Sequence, residues 1–258
     1  MARTALITGA SSGIGTAFAR LLATEGCNLV LTARRKDRLQ SLAEELTSAH
    51  GVEVHVLPAD LADPGTPVRL HQAMKDLGIE VDILINNAGY GFGGTIHEEP
   101  LQDIHDFLQV LLRSWVDLVR LLSPGMVERG HGRIINVASV ASYLSVTSGS
   151  LYGPIKAFIL QYSRTLHMDL ADRGVHVTAL CPGYVRTEFF ETHGSADRVR
   201  RVPGFMWLEA DRVARAAWKA VERGRAVCVP GLLYKVLIRL VPVLPARWRT
   251  PPHRRRVD

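Results

Sequence analysis

Cysteine is scarce in this chain. Three cysteines stand among 258 residues, far apart and without a C-x-x-C pair, at Cys27, Cys181 and Cys228. Neither a disulfide framework nor a zinc site is indicated, and the composition fits a reducing cytoplasm. A basic start followed by an apolar stretch is also missing, because Met1 leads into a strand-like run at residues 4–8. We therefore expect no secretory signal.

Composition and charge argue against two further classes, disordered proteins and nucleic-acid-binding proteins. Charged residues make up 22% of the chain and hydrophobic residues 47%, which predicts one sizeable core rather than disorder. Much of the net charge of +6 comes from a few arginines, most of them in the last twelve residues, and a solvated tail is favoured there over nucleic-acid binding. These arginines are Arg198, Arg200, Arg201, Arg247, Arg249, Arg254, Arg255 and Arg256.

Apolar runs of strand length alternate with longer stretches of helical period. Strands are predicted at residues 4–8, 29–32, 52–57, 83–86, 133–138, 175–180 and 226–230. Helices are predicted at residues 14–25, 38–50, 67–77, 101–129, 151–173 and 211–223. This alternation predicts a doubly wound α/β domain with parallel strands, whose ligands bind beyond the carboxyl ends of the strands.

The first predicted strand runs into a glycine-rich loop, Thr8-Gly-Ala-Ser-Ser-Gly-Ile-Gly15, and a predicted helix follows. Gly9 permits a sharp turn, Gly13 lets the backbone approach a phosphate, and Gly15 lets the helix pack close to the sheet. The helix N-terminus offers N–H groups to a pyrophosphate. The spacing is G-x-x-x-G-x-G, and such a loop by itself also fits a simple turn. The predicted dinucleotide contacts are Gly9, Ser11, Ser12, Gly13, Ile14 and Gly15.

The second predicted strand ends in Leu31-Thr-Ala-Arg-Arg35 and lacks the acid that bonds the ribose 2′-hydroxyl in NAD sites. Arg34 can form a fork to an extra phosphate, and Arg35 is a second candidate. The alternative is a solvated run of charges at a helix start. We predict NADP(H) as the cofactor.

Two further strand ends have polar or small residues. Asp60 and Leu61 follow the third strand, where Asp60 either accepts from an adenine amino group or caps a helix. Asn87, Ala88 and Gly89 follow the fourth strand. Small residues there allow close passage of the cofactor ribose, although taken alone they predict only a turn.

The end of the fifth strand and the helix after it bring acid–base groups together. Ser139 stands at the strand end, and Tyr152 and Lys156 are spaced by four, on one face of a helix. A free tyrosine has a pKa of about 10, too high for a base near neutrality. A nearby ammonium and a nicotinamide cation lower that pKa by stabilising the phenolate. Ser139 is placed to hydrogen-bond a substrate oxygen.

These motifs together with Pro182-Gly183 resemble the short-chain dehydrogenase/reductase family, from about residue 3 to residue 190. The resemblance implies a single Rossmann-like domain with about seven parallel strands, and a homodimer or homotetramer built on the two long helices. It implies that Tyr152 is the acid and base, that Lys156 lowers its pKa and binds the nicotinamide ribose, and that Ser139 positions the substrate. The residues implied around the nicotinamide are Pro182, Gly183, Val185 and Thr187.

Two positions depart from the family pattern. Leu111 stands where many members have an asparagine that anchors a water in a proton relay from the lysine. Because leucine cannot do this, we expect the relay to be weakened or rerouted, with Ser114 as one route. Pro154 stands between Tyr152 and Lys156, which predicts that the helix begins just ahead of Tyr152, where a missing N–H is tolerated.

Residues 188–208 are predicted to form a lid over the substrate. The segment combines apolar and basic side chains, which indicates a ketone or secondary alcohol on a lipid-like or steroid-like skeleton, with or without an anionic end. The alternative is an ordinary lid that packs on the core. The side chains are Phe189, Phe190, Phe205, Met206 and Trp207 beside Arg198, Arg200 and Arg201.

We predict a catalytic domain at residues 1–230 and an apolar, basic extension at 231–258. Within residues 231–249, Lys235 and Arg239 share one helical face and leucines and valines cover the rest. This stretch is too short and too charged to span a bilayer. It predicts either peripheral membrane contact or a cover over the substrate pocket or a subunit contact.

Three classes of function compete for this sequence. The first is an NADP(H)-dependent carbonyl reductase or alcohol dehydrogenase. The second is a non-catalytic dinucleotide-binding sensor or scaffold, which Leu111 makes conceivable, and the third is a membrane-bound interaction protein. Ser139, Tyr152 and Lys156 favour the enzyme, because a protein that merely binds a dinucleotide has no need of a phenol at that position.

Overall fold

The computed structural model describes residues 2–91, 96–144, 151–190 and 202–240. Within these ranges seven parallel strands form one sheet in the order β3-β2-β1-β4-β5-β6-β7. The strands are β1 Thr4–Thr8, β2 Asn28–Thr32, β3 Val54–Val56, β4 Ile83–Asn86, β5 Gly132–Val137, β6 Val175–Leu180 and β7 Val227–Cys228. The predicted doubly wound, Rossmann-like domain is confirmed.

Helices cover both faces of this sheet. They are α1 Gly13–Thr24, α2 Lys36–His50, α3 Thr66–Asp76, α4 Leu101–Leu108, α5 Ser114–Glu128, α6 Tyr152–Leu170, α7 Ala210–Glu222 and α8 Leu232–Leu240. Successive residues of β1 point to opposite faces, so Ile7 joins the core with Phe18 of α1, and Leu6 joins the core with Leu118 of α5. Strands β1 and β4 are apolar except at their ends, where Thr4, Thr8 and Asn86 stand, because both faces of the sheet are buried.

Three predicted elements differ from the structure, one of which is the seventh strand, Val227–Cys228 in place of the predicted 226–230. The run predicted as one helix at residues 101–129 is divided by a π-helical turn, Gln109–Arg113, between α4 and α5. The hydrophobic period hides this turn, because one extra residue per turn changes the register without removing apolar residues. The third strand is also shorter than the predicted 52–57, because it lies at the edge of the sheet and pairs only with β2.

The strand order reverses at β1, which lies between β2 and β4. The crossovers from β1 to β2 and from β2 to β3 run one way along the sheet, and those from β4 to β5, β6 and β7 run the other way. Their loops therefore separate at the carboxyl edge and leave a crevice there. The predicted site residues follow strands β1 to β6, so the topology brings them to this crevice.

Each of the three cysteines, Cys27, Cys181 and Cys228, is buried with a free thiol. A reducing cytoplasm stays a prediction from composition. In the ranges that the structure describes, no helix has the length and apolar character needed to cross a bilayer. The same ranges contain no cluster of side chains arranged to bind a metal ion.

Candidate active site

A cavity of about 1320 Å³ opens at the carboxyl edge of the sheet. The structure describes all of the predicted site residues, and every one except Gly15 lines this cavity. Residues that follow six strands thus meet around one space. The volume exceeds that of a typical drug-sized ligand site and suits a dinucleotide together with a substrate.

The glycine-rich loop has the backbone that a phosphate cradle needs. Gly9 and Gly13 have φ values of +66° and +57°, in the region that favours glycine. A Cβ on Gly13 would lie 2.8 Å from the Thr187 methyl group, and a Cβ on Gly15 would overlap the Gly9 carbonyl. Ser12 makes no side-chain cap hydrogen bond to α1, and no acid stands in the first turn. The first N–H groups of α1 are therefore suited to an anion.

The arginines after β2 meet the lid at the rim of the cavity. Arg35 donates to Ser11 Oγ at 3.2 Å and to Glu188 at 2.8 Å. Arg38 donates to the other Glu188 oxygen at 2.6 Å. Hydrogen bonds from Arg35 and then Arg38 lower the pKa of Glu188. Arg34 is exposed beside them. Glu188 therefore ties the start of the lid to the turn between β2 and α2.

The turns after β3 and β4 are held by local hydrogen bonds. Asp60 accepts from the Ala62 N–H at 3.0 Å, as in a capped turn, so one carboxylate oxygen is engaged locally. The Asn87 amide group donates to the Thr8 carbonyl at 2.9 Å and to the Gly9 carbonyl at 3.2 Å. Asn87 thus fixes the turn after β4 against the glycine-rich loop.

Ser139 and Tyr152 form a hydrogen-bonded pair at the cavity. Helix α6 begins at Tyr152, which places the missing N–H of Pro154 in the first turn. Ser139 Oγ accepts from the Ala141 N–H at 3.1 Å. Burial raises the pKa of Tyr152 to about 12, and the hydrogen bond with Ser139 acts in the opposite direction. In the chain by itself, the phenol is therefore protonated at neutral pH.

Lys156 lies one turn after Tyr152 and is buried. Its Nζ donates to the Val137 carbonyl at 2.7 Å. It lies 5.6 Å from the Tyr152 ring centroid and 4.5 Å from that of Trp115. Burial lowers the pKa of Lys156 to about 7. The lysine is thus within electrostatic range of the phenol.

The position that departs from the family pattern is apolar and tightly packed. Leu111 is fully buried within the π-helical turn. Its side chain lies 3.4 Å from where a Cβ on Gly89 would stand. The Ser114 hydroxyl donates to the Val110 carbonyl at 2.8 Å, within its own helix, rather than toward the lysine. A proton route through Ser114 stays an untested hypothesis.

The last described helix closes one side of the cavity. Tyr234 of α8 is 3% exposed, and its ring occupies the space that a Cβ on Gly183 would need. The hydroxyl accepts from the Tyr184 N–H at 3.1 Å and donates to the Met206 carbonyl at 2.6 Å. One side chain thus holds the loop after β6, the end of the lid and α8 together.

The middle of the predicted lid, residues 191–201, lies outside the described residues, as does the Phe190 side chain. Its two ends are described: Phe189 lies 5.8 Å from the Tyr152 ring, and Val185 bridges to Leu208. The prediction that the substrate carries an anionic end depends on arginines in this undescribed part. They are Arg198, Arg200 and Arg201.

Sequence reasoning missed Trp115, Glu188 and Tyr234. Trp115 stands four residues after Leu111, and this helical spacing predicts that both side chains face the same neighbours. Glu188 and Tyr234 offered none, because their partners Arg35 and Tyr184 are distant in sequence and only the fold brings them together.

Comparison with known proteins agrees with this geometry. A family model described as short chain dehydrogenase matches residues 3–198. The NADP-dependent 3-hydroxy acid dehydrogenase YdfG of Escherichia coli O157:H7 is 34% identical over 218 residues, which cover 83% of this chain and 86% of that protein.

Solved structures extend the likeness beyond the matched segment. A short-chain dehydrogenase from Sphingobium yanoikuyae in complex with NADPH has a TM-score of 0.82 at 32% identity, over 94% of this chain and 96% of that chain. The bulky-bulky ketone specific alcohol dehydrogenase from Comamonas testosteroni has a TM-score of 0.78 at 28% identity, over 95% of each chain. The chain therefore belongs to the short chain dehydrogenase family of oxidoreductases.

Proposed function

We propose that this enzyme interconverts a ketone or aldehyde and the corresponding alcohol on an apolar substrate, with Tyr152 as general acid and base. The observation that supports this most is the arrangement of Ser139, Tyr152 and Lys156. They line the same cavity as the glycine-rich loop, and a buried lysine stands beside the phenol. A site that only bound a dinucleotide would not need this set.

NADP(H) is the cofactor of this enzyme. When bound, it donates or accepts the hydride at its nicotinamide ring. The residues present fit it, because Gly13 and the N-terminus of α1 suit a pyrophosphate and Arg34 and Arg35 suit a 2′-phosphate. Ala33, Arg34 and Arg35 stand directly after β2, where an NAD site has an acid to bond the ribose 2′-hydroxyl. We assign the nicotinamide end to Thr187 and its neighbours.

The residues around the phenol divide the proton chemistry among them. In reduction, Tyr152 donates its proton to the substrate oxygen as the alcohol forms, and in oxidation it accepts that proton. Ser139 hydrogen-bonds the same oxygen and holds it near the phenol. The Lys156 ammonium stabilises the phenolate that remains after donation. The high pKa of Tyr152 in the chain by itself suits the donating role.

The described lining from the lid and last helix supports an apolar substrate. Phe189, Met206, Leu237 and Ile238 line the cavity. Burying such side chains against a hydrocarbon skeleton favours binding by about 25 cal/mol per Å². The Comamonas testosteroni neighbour, whose described specificity is for bulky-bulky ketones, supports the same class.

Turnover of a ketone panel tests the proposal. Purified enzyme is mixed with NADPH and apolar ketones of increasing bulk, and NADPH absorbance is followed. Because acid–base catalysis contributes about 100-fold or more, Tyr152→Phe is expected to lower kcat at least about 100-fold while NADPH still binds.

Tyr162→Phe is the matched control, because Tyr162 lies on the same helix, stacked on Phe158 and away from the cavity lining. It is expected to keep the wild-type rate. Wild-type activity in Tyr152→Phe would contradict the role of Tyr152 as general acid and base. A wild-type protein that binds NADPH and turns over no carbonyl compound would favour the sensor or scaffold instead.

We further propose that the chain assembles as a homodimer or homotetramer through its long helices. Phe158 and Met168 of α6 are 43% and 79% exposed, and a helix of a second subunit would cover them. Light scattering after gel filtration measures the mass directly. A monomeric mass at micromolar concentration contradicts this assembly.

We also propose peripheral membrane contact through residues 231–249, of which the structure describes 231–240. Exposed apolar side chains line one face of α8, and Lys235 and Arg239 flank it. They are Leu232, Leu233, Val236, Leu237 and Leu240. Such a helix suits an anionic bilayer surface. Flotation with anionic liposomes is the test, and protein that stays in the lipid-free fraction contradicts the contact.

A further inference from the structure

Lys156 brings a charge into the protein interior, where its side chain is 4% exposed. Within the described parts of the chain, the ion pairs belong to other basic residues, so no carboxylate offsets this ammonium. The titratable groups that face it are Tyr152 on its own helix and Cys181 after β6. Burial raises the pKa of the Cys181 thiol to about 12, so that group is neutral.

Two neutral groups take the place of a counter-ion. The Val137 carbonyl accepts a hydrogen bond from Nζ at 2.7 Å. The Trp115 ring centroid lies 4.5 Å from Nζ, well within the range of a cation–π interaction. The face of an indole ring is electron-rich, and its attraction for a cation is strongest where water is excluded. Trp115 is therefore the aromatic group best placed to favour the charged lysine.

The indole is fixed in this position by its own contacts. Trp115 is fully buried in the first turn of α5, directly after the π-helical turn. Its ring N–H donates to the Ala88 carbonyl at 3.2 Å, and its carbonyl accepts from the Asn86 amide group at 3.4 Å. Trp115 thus connects the loop after β4 with the lysine on α6.

Nearby residues of the same helical segment do not offer the ammonium a partner. Leu111 is apolar and packs against Gly89. The Ser114 hydroxyl donates to the Val110 carbonyl. Stabilisation of the lysine from this side of the site therefore falls to Trp115.

We propose that Trp115 is a positioning residue for Lys156, whose indole face holds the ammonium beside Tyr152 and favours its charged form in place of a polar group at position 111. The proposal rests on the proposed function, because a charged lysine matters when Tyr152 exchanges a proton. The property it predicts nevertheless belongs to the lysine itself and is measurable without turnover.

Graded fluorination of tryptophan tests the proposal with little change of shape. Fluorine withdraws electron density from the ring face and weakens its attraction for a cation. The pKa of Lys156 is read by NMR titration of ¹³C-labelled lysine, and Lys156→Arg identifies its signal among those of the five lysines. We expect the pKa to fall with each added fluorine, by about 1 in total. A pKa that does not depend on fluorination overturns the proposal.

Substitution gives a second, independent measurement. Trp115→Leu is expected to lower the pKa of Lys156 by about 1, and Trp115→Phe by less, because a benzene ring keeps part of the attraction. Trp218→Leu is the matched control, since Trp218 is also buried and lies 5.2 Å from the Arg3 guanidinium. An unchanged or raised pKa in cooperatively folded Trp115→Leu overturns the proposal.

Activity then reports the consequence for chemistry. If the pKa falls from about 7 to about 6, the charged fraction of Lys156 at pH 7 falls about fivefold. The alkaline limb of the kcat profile is expected to move to lower pH by the same amount in Trp115→Leu, with partial recovery in Trp115→Phe. An unmoved limb contradicts the role in catalysis. Failure of the wild type to turn over any carbonyl compound would overturn the proposed function and leave the titration valid.

Discussion

Glu188→Gln is predicted to tighten NADPH binding without tightening NADH binding. Glu188 holds Arg35 at 2.8 Å and Arg38 at 2.6 Å, and Arg35 is a predicted ligand of the 2′-phosphate. The carboxylate and the phosphate therefore compete for the same guanidinium. NADH lacks this phosphate, so its binding does not require the ion pair to open.

The structure sets the size of this effect. Glu188 and Arg35 side chains are both 42% exposed, and exposed ion pairs contribute about 0.2–1 kcal/mol each. Removing the competition is expected to lower the Kd for NADPH by up to about fivefold, since 1.4 kcal/mol corresponds to tenfold. Fluorescence titration with each dinucleotide measures both constants. The effect is expected to shrink in high salt, which screens exposed charges.

Glu209→Gln is the matched control, because Glu209 pairs with Arg186 at 3.2 Å at the other end of the lid. It is expected to leave the ratio of the two dissociation constants unchanged. Weaker binding of both dinucleotides in Glu188→Gln would refute the competition and make Glu188 a structural anchor of the lid. A ratio of the two dissociation constants in Glu188→Gln that equals the wild-type ratio would also refute the competition.

Three further results are expected. Leu111→Asn should lower the free energy of unfolding, measured by denaturant titration, by about 2 kcal/mol or more, because an amide replaces a buried apolar side chain. It should leave the alkaline limb of the pH profile of kcat in place, and a shifted limb would contradict this prediction. Tyr234→Phe should lose about 1 kcal/mol in the free energy of unfolding, since two partly buried backbone groups lose their hydrogen-bond partner. Unchanged stability would argue that this hydroxyl does not hold the loop after β6, the end of the lid and α8 together. Between pH about 7 and about 8, below the range in which free thiols titrate, the unfolded chain binds a proton at Lys156 that the folded chain does not. Stability should therefore rise with pH in this window, and Lys156→Met should abolish that part of the slope.

The order of strands and helices was predictable because it depends on local properties. Alternating apolar runs predict parallel strands and covering helices, and the right-handed crossover rule limits how they connect. The π-helical turn Gln109–Arg113 was not predictable from this pattern. A single extra residue within a helix leaves the apolar stripe nearly continuous, so tertiary packing decides where it falls.

The glycine-rich loop, Arg34, Arg35, Ser139, Tyr152 and Lys156 were identified from sequence because their chemistry depends on residue type and short spacing. Their convergence on one cavity follows from the switch in strand order, since all of them follow strand ends. Their roles stay predictions until the variants are measured.

By itself, then, the sequence determined the fold class, the family and many of the residues that border the cavity, because these depend on periodicity and local motifs. Only the tertiary structure decided which neighbouring side chains contact those residues and change their charge or position. Trp115 against Lys156, Glu188 against Arg35, and the Tyr234 ring against the loop after β6 are such contacts. They join side chains from separate elements, and no local spacing encodes a distance between elements that only packing brings together.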